Sequence, residues 1–425
     1  MNDYNKYPDL ITRKGTGTFC SGDTEFEAPF EITHYPQNTI IETEVENGLN
    51  LLAAFVTNNN WKLQGIVDQN TLISVIDLQL SKVANCKLTF EPFNEIIFGD
   101  ISMNDFTYAE FPLVGLYKRK VELNYNNWQI SCIGNNVETA LKEIKSKRWS
   151  SQLEGLTLRL NNNGATIENF LSKANNITLL LSLAVGNDII FNRQLFYKKD
   201  KLMLEIWRRK PGYNFGVESC IPDFETNNFL EKSLGGYEKW SKKKKDTFYS
   251  IVNYINSSSQ GFLEDRLLRL CIAWESLATK WAKEKNAVDK ELDSLKEFLK
   301  KSIDNFELPE NHDKDFIKNR LLLALDWEKL YNSLINLLDQ YGLDYDKLRL
   351  DFKTLIKIRN DIAHSGQFKK KYSKEYLADL IYYNKLGLQI LLLRELGYDN
   401  FIESQKDKWV TRIKIDELLK KTSTY

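Results

Sequence analysis

The sequence predicts an α+β protein of more than one domain, in which a β-rich N-terminal half, antiparallel and sandwich- or barrel-like, precedes an all-helical C-terminal half. With 425 residues the chain is longer than a typical single domain. Short β-branched runs dominate its first third, and after about residue 223 apolar residues recur at helical spacing instead. We therefore expect a β-rich domain over 1–135, a mixed α/β continuation over 136–222 and a helical bundle over 223–425.

Strand signals fill residues 14 to 133. The runs are rich in Thr, Ile, Val, Phe and Tyr and are separated by Asn, Gly and Asp, as in "NTIIETEVENG", "TLISVIDLQL" and "KVELNYNNWQISCIG". Such a series is typical of an antiparallel sandwich or barrel. The glycine-rich "KGTGTFCSG" at 14–22 lacks the GK[ST] ending of a phosphate-binding loop, so we interpret it as a turn.

The next segment mixes both periodicities. "NVETALKEIKSKRW" at 136–149 predicts a helix, and a strand "LEGLTLRLNNNG" and a helix "ATIENFLSKANNITLLLSLAV" follow. Two further strand candidates, "DIIFNRQLFYKK" and "KLMLEIWRRK", have "DK" between them as a hairpin turn. "KPGYNFG" at 210–216 contains Pro and two Gly, which indicates a domain boundary.

Helical spacing governs the C-terminal half. The first helix carries one apolar stripe, formed by Leu267, Leu270, Cys271, Trp274, Leu277 and Trp281. Further helical patterns cover 290–302, 314–325, 328–340, 345–364 and 374–396. Ser373 is the predicted N-cap of the last helix, and Gly397 follows its end. Short connections between such helices indicate antiparallel neighbours in a bundle.

Composition narrows the classes of function. Lys plus Arg (58) equals Asp plus Glu (58), so any surface for nucleic acid must be a local one. The five cysteines are scattered without a CxxC pair, which argues against a disulfide scaffold or a structural zinc site and for a reducing compartment. The N-terminus lacks an apolar signal region, and the most apolar run, 177–185, is too short to span a bilayer. We expect a soluble cytoplasmic protein with no membrane partner.

One short segment stands out for its chemistry. "KIRNDIAHSG" at 357–366 gathers polar side chains in a chain that has only three histidines; they are Arg359, Asn360, Asp361 and His364. On an ideal helix of roughly 100° per residue, an apolar stripe would face the bundle core and His364 would face away from it, one turn after Asn360. That stripe consists of Leu355, Ile358 and Ile362.

The arginine of this segment lies on a different helix face from the histidine. Arg359 is roughly 140° from His364 around the helix axis. A shared site therefore needs a bent arginine side chain, a helix that distorts near Ser365 and Gly366, or two chains that pool their motifs. The sequence does not distinguish among these three solutions.

These residue types suit one kind of reaction. A neutral histidine takes or donates a proton near pH 7, and an arginine binds a phosphate and offsets charge that develops in its transition state. Asn360 can orient either group. Because no metal-ligand pattern is present, we expect no metal or other cofactor. The set suits cleavage of RNA by its own 2′-hydroxyl, whereas DNA lacks that nucleophile.

The surroundings of the motif are basic. Between 349 and 374 the chain has eight Lys or Arg residues against two Asp, with Phe368 and Tyr372 interleaved. Such a surface can follow a phosphate backbone and stack bases. The residues that we expect to bind RNA are Lys353, Lys357, Lys369, Lys370 and Lys371.

The motif resembles a known family. "RNDIAH" fits the Rx4–6H signature of HEPN domains, including the polar residue after the arginine, and the helix "RLLRLCIAWESLATKW" before it resembles the bundle of that family. The whole chain is similar to the ApeA-like anti-phage proteins, in which a β-rich region precedes a HEPN domain. The resemblance implies that 223–425 is a HEPN bundle, a metal-independent endoribonuclease. It also implies that the chain forms a homodimer or higher oligomer through this bundle and acts in abortive infection or as a toxin.

Carried over to this sequence, the resemblance assigns roles to three residues. Arg359 would bind phosphate, Asn360 would support it and His364 would be the acid/base. Asp361 and Glu275 are supporting candidates. Glu275 borders the apolar stripe beside Trp274, so it needs a cationic partner, for which Arg359 is one candidate. An ordinary structural ion pair explains Glu275 equally well.

Other interpretations remain beside the nuclease. A lone R-x4-H on an amphipathic helix is usually a solvated face, and some HEPN domains are non-catalytic binding or dimerisation modules. A toxin that a partner nucleotidyltransferase neutralises is a third alternative. In the nuclease interpretation the substrate is an RNA such as tRNA or mRNA, and the N-terminal half senses a phage-derived trigger and regulates the enzyme. "SKKKKD" at 241–246 can bind phosphate, but a solvated helix start is the simpler interpretation.

Overall fold

The computed structural model describes eleven stretches of the chain. They are 11–34, 39–45, 60–84, 86–116, 119–134, 154–208, 219–281, 287–306, 313–366, 372–406 and 409–419. They confirm the predicted fold class, a β-rich N-terminal half followed by a helical C-terminal region. The chain divides into two compact units, one of Met1–Thr178 with Ile189–Tyr213 and one of Leu179–Asp188 with Asn214–Tyr425. The three-part division at 135 and 222 stays a prediction.

Thirteen described strands of the N-terminal unit form one antiparallel sheet. In chain order they are β1 (Ile11–Ser21), β2 (Thr24–His34), β3 (Thr39–Glu44), β4 (Trp61–Val67), β5 (Thr71–Ala84), β6 (Lys87–Gly99), β7 (Phe106–Val114), β8 (Val121–Tyr125), β9 (Trp128–Ile133), β10 (Glu154–Ala165), β11 (Ile190–Phe191), β12 (Arg193–Lys198) and β13 (Lys201–Arg208). The first six close into a barrel, because β3 pairs with β2 on one side and with β6 on the other. From β6 the sheet continues in the order β13, β12, β7, β10, β9, β8, and β11 pairs with β7.

The barrel is filled by aromatic and branched side chains. The Phe19 ring stacks on Phe26 at 5.0 Å and on Phe90 at 5.3 Å between ring centroids, and Trp61 is fully buried beside them. Alternate residues of β2 point inward, as its burial pattern shows. The β-branched alternation of the sequence therefore marks the side of each strand that faces this core.

The glycine-rich segment at 14–22 is mostly strand, so its interpretation as a turn is wrong. It belongs to β1, and only Gly22 and Asp23 lie between β1 and β2. The glycines serve a close approach of strands, since a Cβ at Gly17 would lie 2.6 Å from the carbonyl oxygen of Gln64 on β4. Absence of a side chain, not turn geometry, is what the sheet requires at that position.

The mixed segment follows the sequence closely where it is described. The predicted strand and helix are β10 and α1 (Ile167–Val185). β12 and β13 form the predicted hairpin, but its turn is Lys199 and Asp200, one residue earlier than "DK". Both residues have positive φ, as a tight two-residue hairpin turn demands. The predicted helix at 136–149 and the boundary at 210–216 lie outside the described residues.

The C-terminal unit is built mainly of helices. They are α2 (Thr226–Glu238), α3 (Lys242–Ser257), α4 (Leu263–Lys280), α5 (Ala287–Asn305), α6 (Lys314–Gln340), α7 (Phe352–Ser365) and α8 (Lys374–Glu395). α4 is central, because it packs against α3, α6, α7 and α8. Short 3-10 turns cover Asp223–Glu225 and Ile415–Leu418. Among the described residues no helix combines the length and apolarity needed to cross a membrane.

Three details of this unit differ from the sequence prediction. The patterns at 314–325 and 328–340 are one helix, α6, since neither Gly nor Pro interrupts them. The pattern at 345–364 becomes helical only at Phe352, after turns in which Arg349 has a φ of +52°. A hairpin of β14 (Phe401–Lys406) and β15 (Trp409–Lys414) follows α8, so the expectation of an all-helical second half is wrong in this respect.

Candidate active site

Helix α7 positions the motif residues. The Asp351 side chain caps its start by accepting a hydrogen bond from the Thr354 N–H at 2.9 Å. Gly366, in the left-handed region at a φ of +70°, ends it, and the Gly366 N–H donates to the Ile362 carbonyl at 2.8 Å. The helix is unbroken through His364, so distortion near Ser365 and Gly366 does not bring His364 closer to Arg359.

One face of α7 anchors the helix in the bundle. The predicted apolar stripe is buried, together with Phe352 and Ile356; its members are Leu355, Ile358 and Ile362. Phe352 packs edge-on against Trp274 of α4, with ring centroids 4.9 Å apart. Each such side chain contributes about 1.5–3 kcal/mol when fully buried. The polar motif residues therefore project from a helix whose orientation is fixed by its apolar side.

Arg359 forms a two-pronged ion pair with Glu275 of α4. Arg359 Nε lies 3.2 Å from Glu275 Oε1, and Nη2 donates to Oε2 at 3.4 Å. The structure thus contains the pairing that the sequence suggested. The side chains are 38% and 26% exposed, so solvent screens the attraction and the pair contributes about 1 kcal/mol or less to stability. Its main effect is to fix the plane of the guanidinium.

The Arg359 side chain also reaches back to its own helix. Nη1 donates to Asn360 Oδ1 at 3.0 Å, and Asn360 lies one turn before His364 on the same helix face. The Arg359 guanidinium therefore reaches the Asn360 side chain, and a bent arginine or two chains that pool their motifs both stay predictions. His364 is exposed, and its imidazole makes no hydrogen bond with any described residue.

The remaining candidates near the motif have structural contacts. Asp361 is partly buried, and its carbonyl oxygen accepts from the Ser365 hydroxyl at 2.6 Å, which closes the last turn of α7. Cys271, one turn before Glu275 on α4, is buried, and its Sγ donates to the Leu355 carbonyl at 3.6 Å. Burial raises the pKa of the Cys271 thiol well above its usual range, and Glu275 adds to this. Cys271 is thus a neutral thiol rather than a nucleophile.

The predicted basic surface is partly described. Lys353 and Lys357 are exposed on α7, and Lys353 Nζ lies 5.2 Å from the Tyr331 ring centroid. Arg349 is exposed as well and donates to the Tyr383 hydroxyl at 2.9 Å. The remaining predicted RNA-binding residues, and Phe368, lie outside the described residues; they are Lys369, Lys370 and Lys371.

Two tyrosines near the motif form a stacked pair. The sequence analysis identified Tyr372 but not its partner Tyr376. Tyr372 and Tyr376 stack with ring centroids 5.8 Å apart and an interplanar angle of 14°. Ser373 caps α8 by accepting from the Tyr376 N–H, and the Tyr376 hydroxyl donates to Asp351 Oδ2 at 2.9 Å. The four-residue spacing of the tyrosines across a predicted N-cap was the available signal. Such a pair offers a flat surface for base stacking.

Asp351 links this aromatic pair to α7. Burial raises the pKa of its carboxyl, but hydrogen bonds from Thr354 and Tyr376 and the charge of Lys353 more than offset this. The net pKa lies below its ordinary value, so Asp351 is ionised at neutral pH. Ionised Asp351 therefore stabilises the fold. This stabilisation is fully present above the ordinary carboxyl pKa and is lost as the pH falls through the lowered pKa of Asp351.

A search for metal-binding clusters among the described residues and comparisons with known proteins both gave no result. Across the described stretches no three His, Cys, Asp or Glu side chains lie together in a way that could hold a metal ion. No family model matches the chain, and no curated protein or solved structure is detectably similar to it. A function for the chain therefore has to rest on its own residues.

Proposed function

We propose that the protein is a metal-independent endoribonuclease of the HEPN type that acts in anti-phage defence by abortive infection. One observation supports this most. Arg359 is held between Glu275 and Asn360, on a helix whose last turn presents an exposed His364. In this proposal an RNA such as tRNA or mRNA is the substrate, and the N-terminal half responds to a phage-derived trigger and restrains the enzyme.

The reaction needs no group beyond the substrate and these side chains. The ribose 2′-oxygen attacks the adjacent phosphorus as its proton leaves, and the bond from phosphorus to the 5′-oxygen breaks. The products are a 2′,3′-cyclic phosphate and a 5′-hydroxyl. Neutral His364 accepts the 2′-proton, or protonated His364 supplies the proton that the 5′-oxygen takes up. Since one histidine serves one role at a time, a second chain in a homodimer can provide the other.

Arg359 retains the capacity to bind phosphate in its present contacts. A guanidinium has five N–H donors. Glu275 accepts from Nη2 and lies 3.2 Å from Nε, and Asn360 accepts from Nη1. The second hydrogens of Nη1 and Nη2 remain for a phosphate oxygen, and a guanidinium fixed in this plane needs little reorganisation to stabilise charge on phosphorus.

A second candidate function is a non-catalytic binding or dimerisation module. The same fork between Arg359 and Glu275 favours it, because a structural ion pair between α4 and α7 has this geometry too. In that case His364 would be a solvated residue at a helix end. The two candidates differ in what substitution of His364 does.

The deciding experiment is incubation of the purified protein with RNA and with DNA in EDTA. We expect cleavage of RNA alone, and we expect His364→Ala and Arg359→Ala to lower the rate by about 10²–10⁴-fold without loss of folding. Arg412→Ala is the matched control, because Arg412 pairs with Glu403 on the C-terminal hairpin and is not one of the motif residues.

Cleavage by His364→Ala at the wild-type rate would eliminate the nuclease in favour of the binding module. If the wild type needs its trigger and is silent in vitro, growth arrest on overexpression provides the same comparison. Arrest by the wild type and by Arg412→Ala, but not by His364→Ala, is the expected result.

A further inference from the structure

A polar pocket lies within the C-terminal unit. It has a volume of about 460 Å³ and is formed where α3 begins and where α4, α6 and α8 end. This volume falls within the usual range of small-molecule sites. Its lining includes the side chains of Lys243, Lys244, Lys280, Trp281, Tyr341 and Glu395. None of them belongs to the candidate active site.

The pocket has an excess of positive charge. Glu395 is its one carboxylate among the described lining residues, and it is already engaged by the Lys244 ammonium and by the Tyr341 hydroxyl. Burial raises the pKa of Tyr341, and the hydrogen bond to Glu395 raises it further, so Tyr341 is a neutral donor there. Lys243 and Lys280 are exposed, and no described carboxylate pairs with either. Two cations therefore remain for an anion from outside.

The start of α3 strengthens this preference. Its first turn contains four consecutive lysines, Lys242 to Lys245, and no acidic residue. The N-terminus of a helix carries positive partial charge, so lysines there weaken the helix unless an anion is close by. The Ser241 side chain accepts from the Lys244 N–H, as a solvated helix start predicts, but the pocket beside it is a feature that the sequence did not reveal.

Aromatic residues fix the position of Lys244 at the wall of the pocket. Trp281 lines the pocket with only 9% of its surface exposed, and its indole N–H has no hydrogen-bond acceptor among the described residues. Lys244 Nζ lies 4.4 Å from the Trp240 ring centroid and 5.3 Å from that of Trp281, which holds the ammonium at the wall.

We propose that this pocket binds a small phosphorylated ligand. Its phosphate oxygens accept from the Lys243 and Lys280 ammonium groups beside the start of α3, since helix N-termini commonly hold phosphate. Lys244 stays with Glu395 and forms the edge of the site. The proposal goes beyond the ribonuclease and does not depend on it, because no residue of the motif takes part.

The test is isothermal titration calorimetry of the full chain with inorganic pyrophosphate and, separately, with ADP. We expect saturable binding with one site per chain. Lys243→Ala and Lys280→Ala should each weaken it about tenfold, which is the usual effect of removing one charge-assisted hydrogen bond. Lys242→Ala is the matched control, since Lys242 belongs to the same lysine run and is exposed but does not line the pocket.

Equal affinities for the two probes would show that the phosphates alone are recognised, and tighter binding of ADP would add a contact to the nucleoside. Either result supports the site. Failure of both probes to bind the wild type at millimolar concentration would overturn it. So would an equal reduction in Lys242→Ala, because that would indicate general attraction to the lysine run. RNA cleavage is not measured, so failure of the ribonuclease proposal would leave this result intact.

Discussion

At the scale of single residues, Glu275 shows what the sequence can and cannot predict. Its place beside Trp274 in the apolar stripe indicated partial burial and therefore a need for a cation, and Arg359 is that cation. The contact between Arg359 and Asn360 could not be predicted, because it depends on how a long flexible side chain bends between two helix faces. Helix geometry determines the direction in which a side chain leaves the backbone, but not the position of a guanidinium at the end of a long flexible side chain.

Glu275 is a positioning residue for Arg359, and its removal tests that role. We expect Glu275→Ala to lower kcat/KM for RNA about tenfold, because the guanidinium loses the fork that fixes its plane. Glu275→Gln should fall between Ala and wild type, since it keeps a hydrogen-bond acceptor without the charge. Stability should fall by about 1 kcal/mol or less, as for other partly exposed pairs. Steady-state cleavage kinetics and urea unfolding measure the two effects.

Glu403→Ala is the matched control, because it removes the carboxylate from the Arg412 pair in the same unit. It should change unfolding by a similar amount and leave cleavage unchanged. An increase of cleavage in Glu275→Ala would contradict the positioning role and show that Glu275 restrains Arg359 instead.

At the scale of elements, local signals fixed most helices and strands, and long-range pairing decided the rest. Ser373 and Ser241 cap helices where the sequence placed helix starts. The interpretation of 14–22 failed because Gly17 is needed where β1 meets β4, a contact between segments some fifty residues apart. Turns and helix caps can be predicted from residues that are close in sequence. A close approach of two strands is visible only in the folded sheet.

The end of α7 gives a prediction at this scale. Gly366 has a φ of +70°, and no atom of a described residue lies within 4 Å of the place where a Cβ would lie, so Gly366→Ala is opposed by backbone strain. We expect a decrease of about 1 kcal/mol in the free energy of unfolding. Because the strain is relieved by fraying of the last turn, which carries His364, cleavage of RNA should fall as well. Urea unfolding and the cleavage assay are the measurements.

Gly342 provides the matched control. It follows α6 with a φ of +66°, and no atom of a described residue lies within 4 Å of its Cβ position, so Gly342→Ala should destabilise the protein by the same amount. Its cleavage should equal that of the wild type. Equal activity of the two variants would mean that the last turn of α7 does not hold the reactive histidine.

At the scale of the whole molecule, the change of periodicity along the chain was enough for the fold class, and the closure of the barrel was not predictable. Closure rests on the pairing of β3 with β6, which joins Ile41 to Phe90 across almost fifty residues. The distribution of charge over the surface likewise could not be predicted from the sequence. The totals of 58 basic and 58 acidic residues define a balanced chain, and only the structure shows which cations share a surface.

This balance leads to a prediction about RNA binding. A protein without net charge attracts RNA only through a local surface, so removal of a few cations should account for much of its dependence on salt. Lys353 and Lys357 are exposed on the helix that carries the motif. In the background of His364→Ala, which we expect to suppress cleavage, Lys353→Ala/Lys357→Ala should weaken binding of a single-stranded RNA. The slope of log K against log salt concentration should decrease by roughly 1.4, about 0.7 for each phosphate that a lysine no longer neutralises.

Fluorescence anisotropy at several salt concentrations measures this slope. The control is Lys232→Ala/Lys242→Ala, which removes the same charge from exposed positions of α2 and α3. If both double variants reduce the slope equally, RNA senses only the overall charge of the protein, and α7 is not its binding surface. If only the α7 variant does so, a chain that is neutral as a whole binds RNA at the helix that presents His364.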